Sequence, residues 1–456
     1  MSESENETGA TRREFLQKSA TTAAAGVAVS TLSYLPSTAA GLRNIIGAND
    51  RINIGHVGVG VQGYGAHCRL LYENAQKNNT VQVALCDLYG RNLKKAQETT
   101  KVADNRLYKD YRKFLESKDI DAVVVATSDN WHTDVAVSAL EAGKHVYVEK
   151  PMCKTIEEAF RIHDAVKKTK LKLQVGSQGC TDQKWHIAAR MVREGKIGPV
   201  VVGQGSYMRN TGNNKQWAKG VGGEWDTYGR YDTDAGPTAT GDAHVDWETF
   251  RKGRGPKDWD PDRFFHWRKF WDYGSGLVGD LFPHRLHPLF IAMALPTTGL
   301  DGFPLRVSSG GGLYVQKINP YHPDRPDREV PDFTNIQVDF ADRSLMAMSS
   351  TINEQGWQDT IRGLKGTLYF GGNSVKLVPE RSYADEAEEV TEQNNGTGED
   401  IAIHESNWIS CIRDGKEPNC NIDIAVRVQV MISLAELAYR QSKTFTFDPA
   451  TRKYKG

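Results

Sequence analysis

The sequence predicts a doubly wound α/β domain with a parallel sheet, followed by an α+β domain carrying a large, mostly antiparallel sheet. Three observations predict this. Up to residue 176, short apolar segments rich in Val and Ile alternate with amphipathic stretches, the pattern of repeated βαβ units. The first of those segments breaks into glycines at positions 58, 60 and 63. Beyond residue 176, strand-like segments follow one another with few helical patterns between them, as in a sheet joined by hairpins.

Taken in order, residues 41–50 form an arm, and Arg51 to Gly65 begins as a buried strand and ends as a glycine turn into a helix. Val81 to Cys86 is a second strand. Leu93–Lys101 and Asp110–Glu116 are helical, and Asp121 to Thr127 is a fully apolar strand. Thr133 to Ala142 is a helix closed by Gly143, His145 to Glu149 a strand, and Thr155 to Thr169 an amphipathic helix with an N-cap threonine. Lys172–Gly176 is the last strand of this half, and Asp182–Glu194 is a helix. Strands are then expected at Val200–Met208, Leu305–Val315, Phe333–Phe340, Ser344–Ile352 and Gly366–Phe370. Loops are expected at Asn210–Asp242, Asn319–Asp332 and the acidic stretch Tyr383–Asp400, and helices at Ile403–Arg413 and Ile422–Gln441. The predicted domains are 41–176 and 177–456, preceded by a segment of 40 residues.

That leading segment reads as a targeting signal. Thr11-Arg12-Arg13-Glu14-Phe15-Leu16 is a twin-arginine signature followed by an Ala/Val-rich stretch and small residues at Thr38, Ala39 and Ala40. Export to the periplasm is the expectation. No later apolar run is long enough to span a bilayer. Lys plus Arg and Asp plus Glu both number 57, and without a long basic stretch nucleic acid is not an expected partner. Cys68, Cys86, Cys153 and Cys180 fall in or beside core elements, and Cys411 and Cys420 bracket a short turn; free thiols are expected.

The glycine turn has a steric logic. Gly58 permits the tight turn, Gly60 lets backbone approach a pyrophosphate, and Gly63 lets the helix pack close to the strand, with Val61 and Gln62 between them. Phosphates would sit on the helix N-terminus. This Rossmann-type motif calls for an acidic residue roughly 20 positions on, to bind the ribose hydroxyls. Asp87 follows Gly63 by 24 residues. Its charge would repel a 2′-phosphate, so NAD is expected rather than NADP, a preference that Arg91 softens.

Glu149-Lys150-Pro151 stands just past a strand's carboxyl end, where ligands of open α/β sheets bind. A lysine there can hydrogen-bond a reacting oxygen and stabilise its charge. Asp280 and His284 are four residues apart, so on one helix they share a face; a histidine there can take a hydroxyl proton while the aspartate orients it. Pro283 fits if the helix starts near Leu281, which puts the proline in its first turn. His284 and His287 lack a third nearby ligand, and no metal site is expected.

With the fingerprint and Asp87, Ala126-Thr-Ser-Asp-Asn-Trp-His132, Glu149-Lys150-Pro151 and Asp280-Leu-Phe-Pro-His284 in hand, the chain resembles the Gfo/Idh/MocA oxidoreductase family over residues 48–445. The resemblance implies a nicotinamide-binding first domain and a sheet domain that carries substrate contacts and an oligomer interface, so a dimer or tetramer is expected. It implies catalytic roles for Lys150, Asp280 and His284, and an often cis peptide before Pro151. It also implies that Thr127, Asn130 and His132 line the cofactor cleft, with Glu149, Lys150 and Gln178 towards the nicotinamide. Tyr207, Arg209, Trp267 and Arg268 are candidate contacts to a sugar, since aromatic faces flanked by polar groups suit sugar rings.

Two enzymatic readings follow: an NAD-dependent oxidoreductase acting on a CH–OH group of a sugar, polyol or glycoside, or a redox-neutral glycoside hydrolase using the same cofactor, as known for some relatives. Export implies that the cofactor stays bound. A non-catalytic assembly protein is a third reading, disfavoured by the joint presence of Lys150, Asp280 and His284.

Overall fold

The computed structural model describes residues 50–210, 232–318, 324–394 and 396–456. The twin-arginine segment, the arm to residue 49, and parts of two expected loops (211–231 and 319–323) lie outside the described residues. Arg51–Gly456 form one compact unit.

Six strands make the first sheet: β1 (Ile52–Val57), β2 (Thr80–Cys86), β3 (Leu107–Tyr108), β4 (Ala122–Val125), β5 (His145–Val148) and β6 (Leu173–Val175). They are parallel, in the order β3-β2-β1-β4-β5-β6. The order reverses between β1 and β4, and a crevice opens there at the strands' carboxyl ends. Every residue of β4 is buried, as a strand covered on both faces requires. Helix α1 (Asp129–Glu141) packs against α2 (Ile156–Thr169). Helix α2 opens with a capping box: the Glu158 N–H donates to Thr155 Oγ1 at 3.2 Å, and the Glu158 carboxylate accepts the Thr155 N–H.

Helix α3 (Gln183–Arg193) leads into the second sheet. Its strands are β7 (Val200–Asn210), β8 (Arg306–Gly312), β9 (Phe333–Asp339), β10 (Ser344–Ser350), β11 (Ile352–Asn353), β12 (Thr360–Gly363), β13 (Gly366–Phe370), β14 (Ser374–Pro379), β15 (Val390–Gln393), β16 (Phe445–Asp448) and β17 (Lys453–Lys455). The order is β15-β14-β13-β12-β7-β10-β9-β8-β16-β17, with β11 on β7. Neighbours are antiparallel except β7 and β10, which run parallel. Further helices are α4 (Gly276–Asp280), α5 (Pro283–Ala292), α6 (Ile401–Asp414), which packs on β1 and β4, and α7 (Ile422–Gln441). Helix α7 is buried on nearly every face and packs on both α2 and β8, so one apolar core serves both sheets.

The structure departs from the sequence expectation at several elements. Helix α1 starts at Asp129 rather than Thr133, so Asn130 and His132 stand on a helix. The acidic stretch 383–400 is no plain loop, because Val390–Gln393 adds an edge strand. Asp280 and His284 do not share one helix. Pro283 cannot donate a backbone hydrogen bond, the ladder breaks, and α4 ends at Asp280 while α5 starts at the proline. All six cysteines are free and buried.

Candidate active site

A cavity of about 870 Å³ lies along the carboxyl ends of β1, β2, β4 and β5. One wall is the glycine turn. Gly58 has φ +84°, and a Cβ there would stand 2.6 Å from the Ala126 carbonyl. Gly63 packs its α-carbon so near that a Cβ would meet the Gly58 oxygen at 2.0 Å. The turn enters a π-helix, Gly63–Cys68, which continues as α-helix from Arg69. The opposite wall comes from residues 232–268, including Asp232, Phe250, Phe264, Phe265, Trp267 and Arg268.

At one end of the cavity stands Asp87. Its carboxylate accepts the N–H of Val59 at 2.8 Å and of Tyr89 at 2.9 Å. It therefore ties the glycine turn to the end of β2, and burial pushes its carboxyl upward. Arg91 lines the cavity but is engaged by carboxylates: Asp234 at 2.8 Å, Asp232 at 3.4 Å and Asp242 at 3.8 Å. The Tyr89 hydroxyl donates to Asp232, and the Asp246 N–H donates to the Leu88 carbonyl at 3.3 Å. Segment 232–246 is thus strapped across the loop that follows β2.

At the other end, Glu149 and Lys150 extend from β5, with Lys150-Pro151 as a cis peptide. Lys150 Nζ donates to Asp280 Oδ1 at 2.8 Å and to the Asp280 carbonyl at 3.0 Å. Arg268, whose guanidinium lies over the Trp267 ring, reaches the same Oδ1 at 3.3 Å. Burial opposes ionisation of Asp280, yet Lys150, Arg268 and Arg209 hold it well below the usual carboxylate range. His284 is 4% exposed and stacks on Tyr207 at 4.4 Å, planes 10° apart. Its Nδ1 is 3.9 Å from Glu399 and makes no hydrogen bond among the described residues. Burial, then Lys150 and Arg209, push its pKa well below the ordinary value, so the imidazole is neutral. Arg209 reaches the Tyr207 hydroxyl at 3.4 Å.

Gly58, Gly60, Val61, Gln62, Asp87, Arg91, Thr127, His132, Glu149, Lys150, Trp267 and Arg268 line this one cavity. Asp280 joins it through Lys150 and Arg268, and Gly63 stands behind the turn. Of the expected contacts, Asn130, Gln178, Tyr207, Arg209 and His284 do not line it. The Asn130 amide accepts from Ser128 at 2.7 Å and donates to the Phe250 carbonyl at 3.5 Å, fastening α1 to the opposite wall. Gln178 begins a 3₁₀ turn beyond β6 and falls outside the lining. His132 borders the cavity, but its ring nitrogens face the Pro151 carbonyl at 2.7 Å and the Thr127 carbonyl at 3.2 Å. It holds the two turns together.

Residues 52–177 match the model of the oxidoreductase family with an NAD-binding Rossmann fold. Over that stretch the chain is similar to the NAD-binding domain of the Gfo/Idh/MocA family. A glycosyl hydrolase family 109 protein of Shewanella baltica is 28% identical over 239 residues, 48% of this chain and 50% of that protein. The chain thus spans about half the length of the curated relatives it matches. Among solved structures, an oxidoreductase domain protein from Kribbella flavida superposes with a TM-score of 0.64 at 18% identity, covering 86% of this chain and 98% of that one. Levoglucosan dehydrogenase in complex with NADH and levoglucosan superposes at 0.61 and 17% identity, covering 89% and 99%. These likenesses extend the shared fold across both sheets.

The residues of this first domain fit the dinucleotide. Gly60 borders the cavity, and a Cβ there would meet nothing closer than Asn92 Nδ2 at 3.6 Å, so the backbone is open to a pyrophosphate. Asp87 stands where ribose hydroxyls would lie, and Lys150 at the far end. Two functional groups escaped the sequence reading. One is the strap from Asp232 to Asp246. The other is His67, clamped between Glu149 and Glu405, whose carboxylate comes from 338 residues away; no local signal marks such a contact.

Proposed function

We propose that the chain is an NAD-dependent oxidoreductase that moves a hydride between nicotinamide and a hydroxyl or keto carbon of a sugar, polyol or glycoside. The observation that carries this reading is the Lys150–Asp280 pair, which joins the cofactor cavity to α4. Bound there, the nicotinamide supplies a hydride donor and acceptor. Lys150 hydrogen-bonds the reacting oxygen and offsets its developing charge. Asp280, kept ionised, fixes the ammonium in place. His284, kept neutral, takes the hydroxyl proton during oxidation and returns it during reduction. Trp267, Tyr207 and Arg209 supply apolar faces and donors suited to a sugar ring.

The strap across the Asp87 loop supports a cofactor that stays bound through the cycle. Export by the Arg12-Arg13 signal to the periplasm is part of this proposal, because a released dinucleotide could not be recharged there. A homo-oligomer belongs to it as well. The test is to mix the purified full chain with sugars and polyols and follow reduced-nicotinamide absorbance; no response across the panel removes the reading.

A second reading is redox-neutral glycoside cleavage, in which oxidation at a ring carbon is followed by elimination and reduction. The name of the Shewanella relatives favours it. An aryl glycoside that releases its phenol without added acceptor would put it first.

A further inference from the structure

His67 sits in the π-helical turn directly behind the glycine loop and is 0% exposed. Its Nε2 is 2.9 Å from Glu149 Oε1, and its Nδ1 is 2.7 Å from Glu405 Oε1, on α6. Glu149 Oε1 also accepts the Gln62 amide at 3.1 Å, and its Oε2 accepts the Lys150 N–H at 2.9 Å. Gln62, Glu149 and Lys150 all line the cofactor cavity. Glu405 is 1% exposed. A buried chain of hydrogen bonds thus runs from α6 to the glycine turn and the catalytic lysine's backbone. An imidazole can donate to two carboxylates only as the imidazolium.

We propose that His67 and Glu405 are positioning residues that hold the Glu149 carboxylate at the nicotinamide end of the cavity and thereby set the protein's preference between oxidised and reduced cofactor. The inference rests on the cofactor reading above.

The charges give it content. Burial alone would lower His67, but Glu149 and Glu405 raise it to about 9. Burial opposes ionisation of Glu149, yet His67, Lys150 and Gln62 bring it down to about 2. Glu405 is pushed up to about 7 by burial, with His67 pulling it down and Glu149 and Asp400 pushing it up. From the other packed elements, His56 of β1 is neutral, held at about 3 by burial and by His67. Tyr147 of β5 presents its ring edge-on to His67 at 5.1 Å, and the buried Cys68 thiol stays protonated. The triad therefore carries no net charge while Glu405 is protonated and one negative charge once it ionises. Oxidised nicotinamide is a cation and the reduced ring is neutral. A negative charge behind Glu149 therefore favours the oxidised form.

The test measures dissociation constants for NAD+ and NADH with the full chain from about pH 5 to about pH 9, by calorimetry and by nicotinamide fluorescence, for wild type, Glu405→Gln, His67→Gln and Glu149→Gln. The wild-type preference for NAD+ should rise roughly three- to tenfold as Glu405 ionises, since each tenfold is about 1.4 kcal/mol. Glu405→Gln, which keeps the acceptor and removes the titration, should be flat across that step. Glu149→Gln should shift the preference towards NADH at every pH. Equal weakening of both cofactor forms in all variants would reduce the network to a structural clamp and overturn the inference, as would a step that survives in Glu405→Gln. Wild type that binds neither form would overturn the cofactor reading itself and the inference with it.

Discussion

Lys150 Nζ lies 2.8 Å from Asp280 Oδ1, both side chains 7% exposed, so a lysine at the end of the parallel sheet is fixed by an aspartate from the helices that precede β8. Removing one partner leaves the other charged and buried. Asp280→Asn is expected to lower stability by about 3–5 kcal/mol. Turnover should fall about 10²–10⁴-fold while NAD still binds. Lys150→Ala should lose turnover similarly. Thermal melts, NAD titration and single-turnover rates check this; turnover within a few-fold of wild type contradicts it.

The two glycines that flank the turn separate folding from binding. A Cβ on Gly63 would overlap the Gly58 oxygen, whereas one on Gly60 finds open space. Gly63→Ala should destabilise by about 1–3 kcal/mol or more. Gly60→Ala should melt like wild type yet bind NAD at least about tenfold more weakly, because the methyl takes the pyrophosphate's place. Melting curves and calorimetry on both variants decide it.

The strap acts on cofactor choice. Arg91, a cavity-lining cation on the segment that follows Asp87, is engaged by Asp234, Asp232 and Asp242. Asp232→Asn with Asp234→Asn should improve NADP binding about tenfold, and adding Arg91→Ala should cancel that gain. Competitive titrations of NAD and NADP read it directly. An unchanged ratio leaves the choice to Asp87 alone.

The buried triad by itself contributes most stability on the acid side of neutrality. Glu149 is lowered from 4.5 to about 2, so its contribution is full above 4.5 and lost as pH falls towards 2. Glu405 is raised from 4.5 to about 7, so its contribution is full below 4.5 and lost as pH rises through 7. His67 is raised from 6.5 to about 9, and its share is lost as pH rises through 9. Because His56 and His284, both held below 6.5, add stability as pH rises to that value, the triad shows as a difference: the Tm of wild type relative to Glu405→Gln should fall as pH rises from about 5 to about 7. A difference that stays flat across that range contradicts the assignment.

His284 is held neutral by burial and by its cationic neighbours. The rate profile should therefore show no histidine limb at its ordinary value of 6.5, and His284→Gln should slow the chemical step without weakening NAD binding.

The parallel half of the fold was legible because its signals are local. Val123, Val124 and Val125 are apolar in a row because both faces of β4 are covered, and Gly58 and Gly63 are glycines because backbone passes where a Cβ would be. Lys150 was legible from its place after a strand. The Asp280–His284 arrangement was half legible: Asp280 does meet Lys150, but Pro283 splits the helix expected to carry both Asp280 and His284. Strands such as Val390–Gln393 and Lys453–Lys455 were missed because, as exposed edges with charged residues, they lack alternation. The resemblance places Asn130 in the cleft; as part of α1 it turns to Phe250 instead. The Glu405–His67 contact joins residues that no sequence window contains.

The most direct test of the central claim is isotope transfer. The full chain, loaded with NAD, is incubated with a panel of ring-deuterated sugars, polyols and glycosides, and the nucleotide released on denaturation is weighed by mass spectrometry. The account predicts deuterium on the nicotinamide with at least one substrate and none in Lys150→Ala. Nucleotide that binds but stays unlabelled across the panel, or a Lys150→Ala protein that labels as well as wild type, would contradict it.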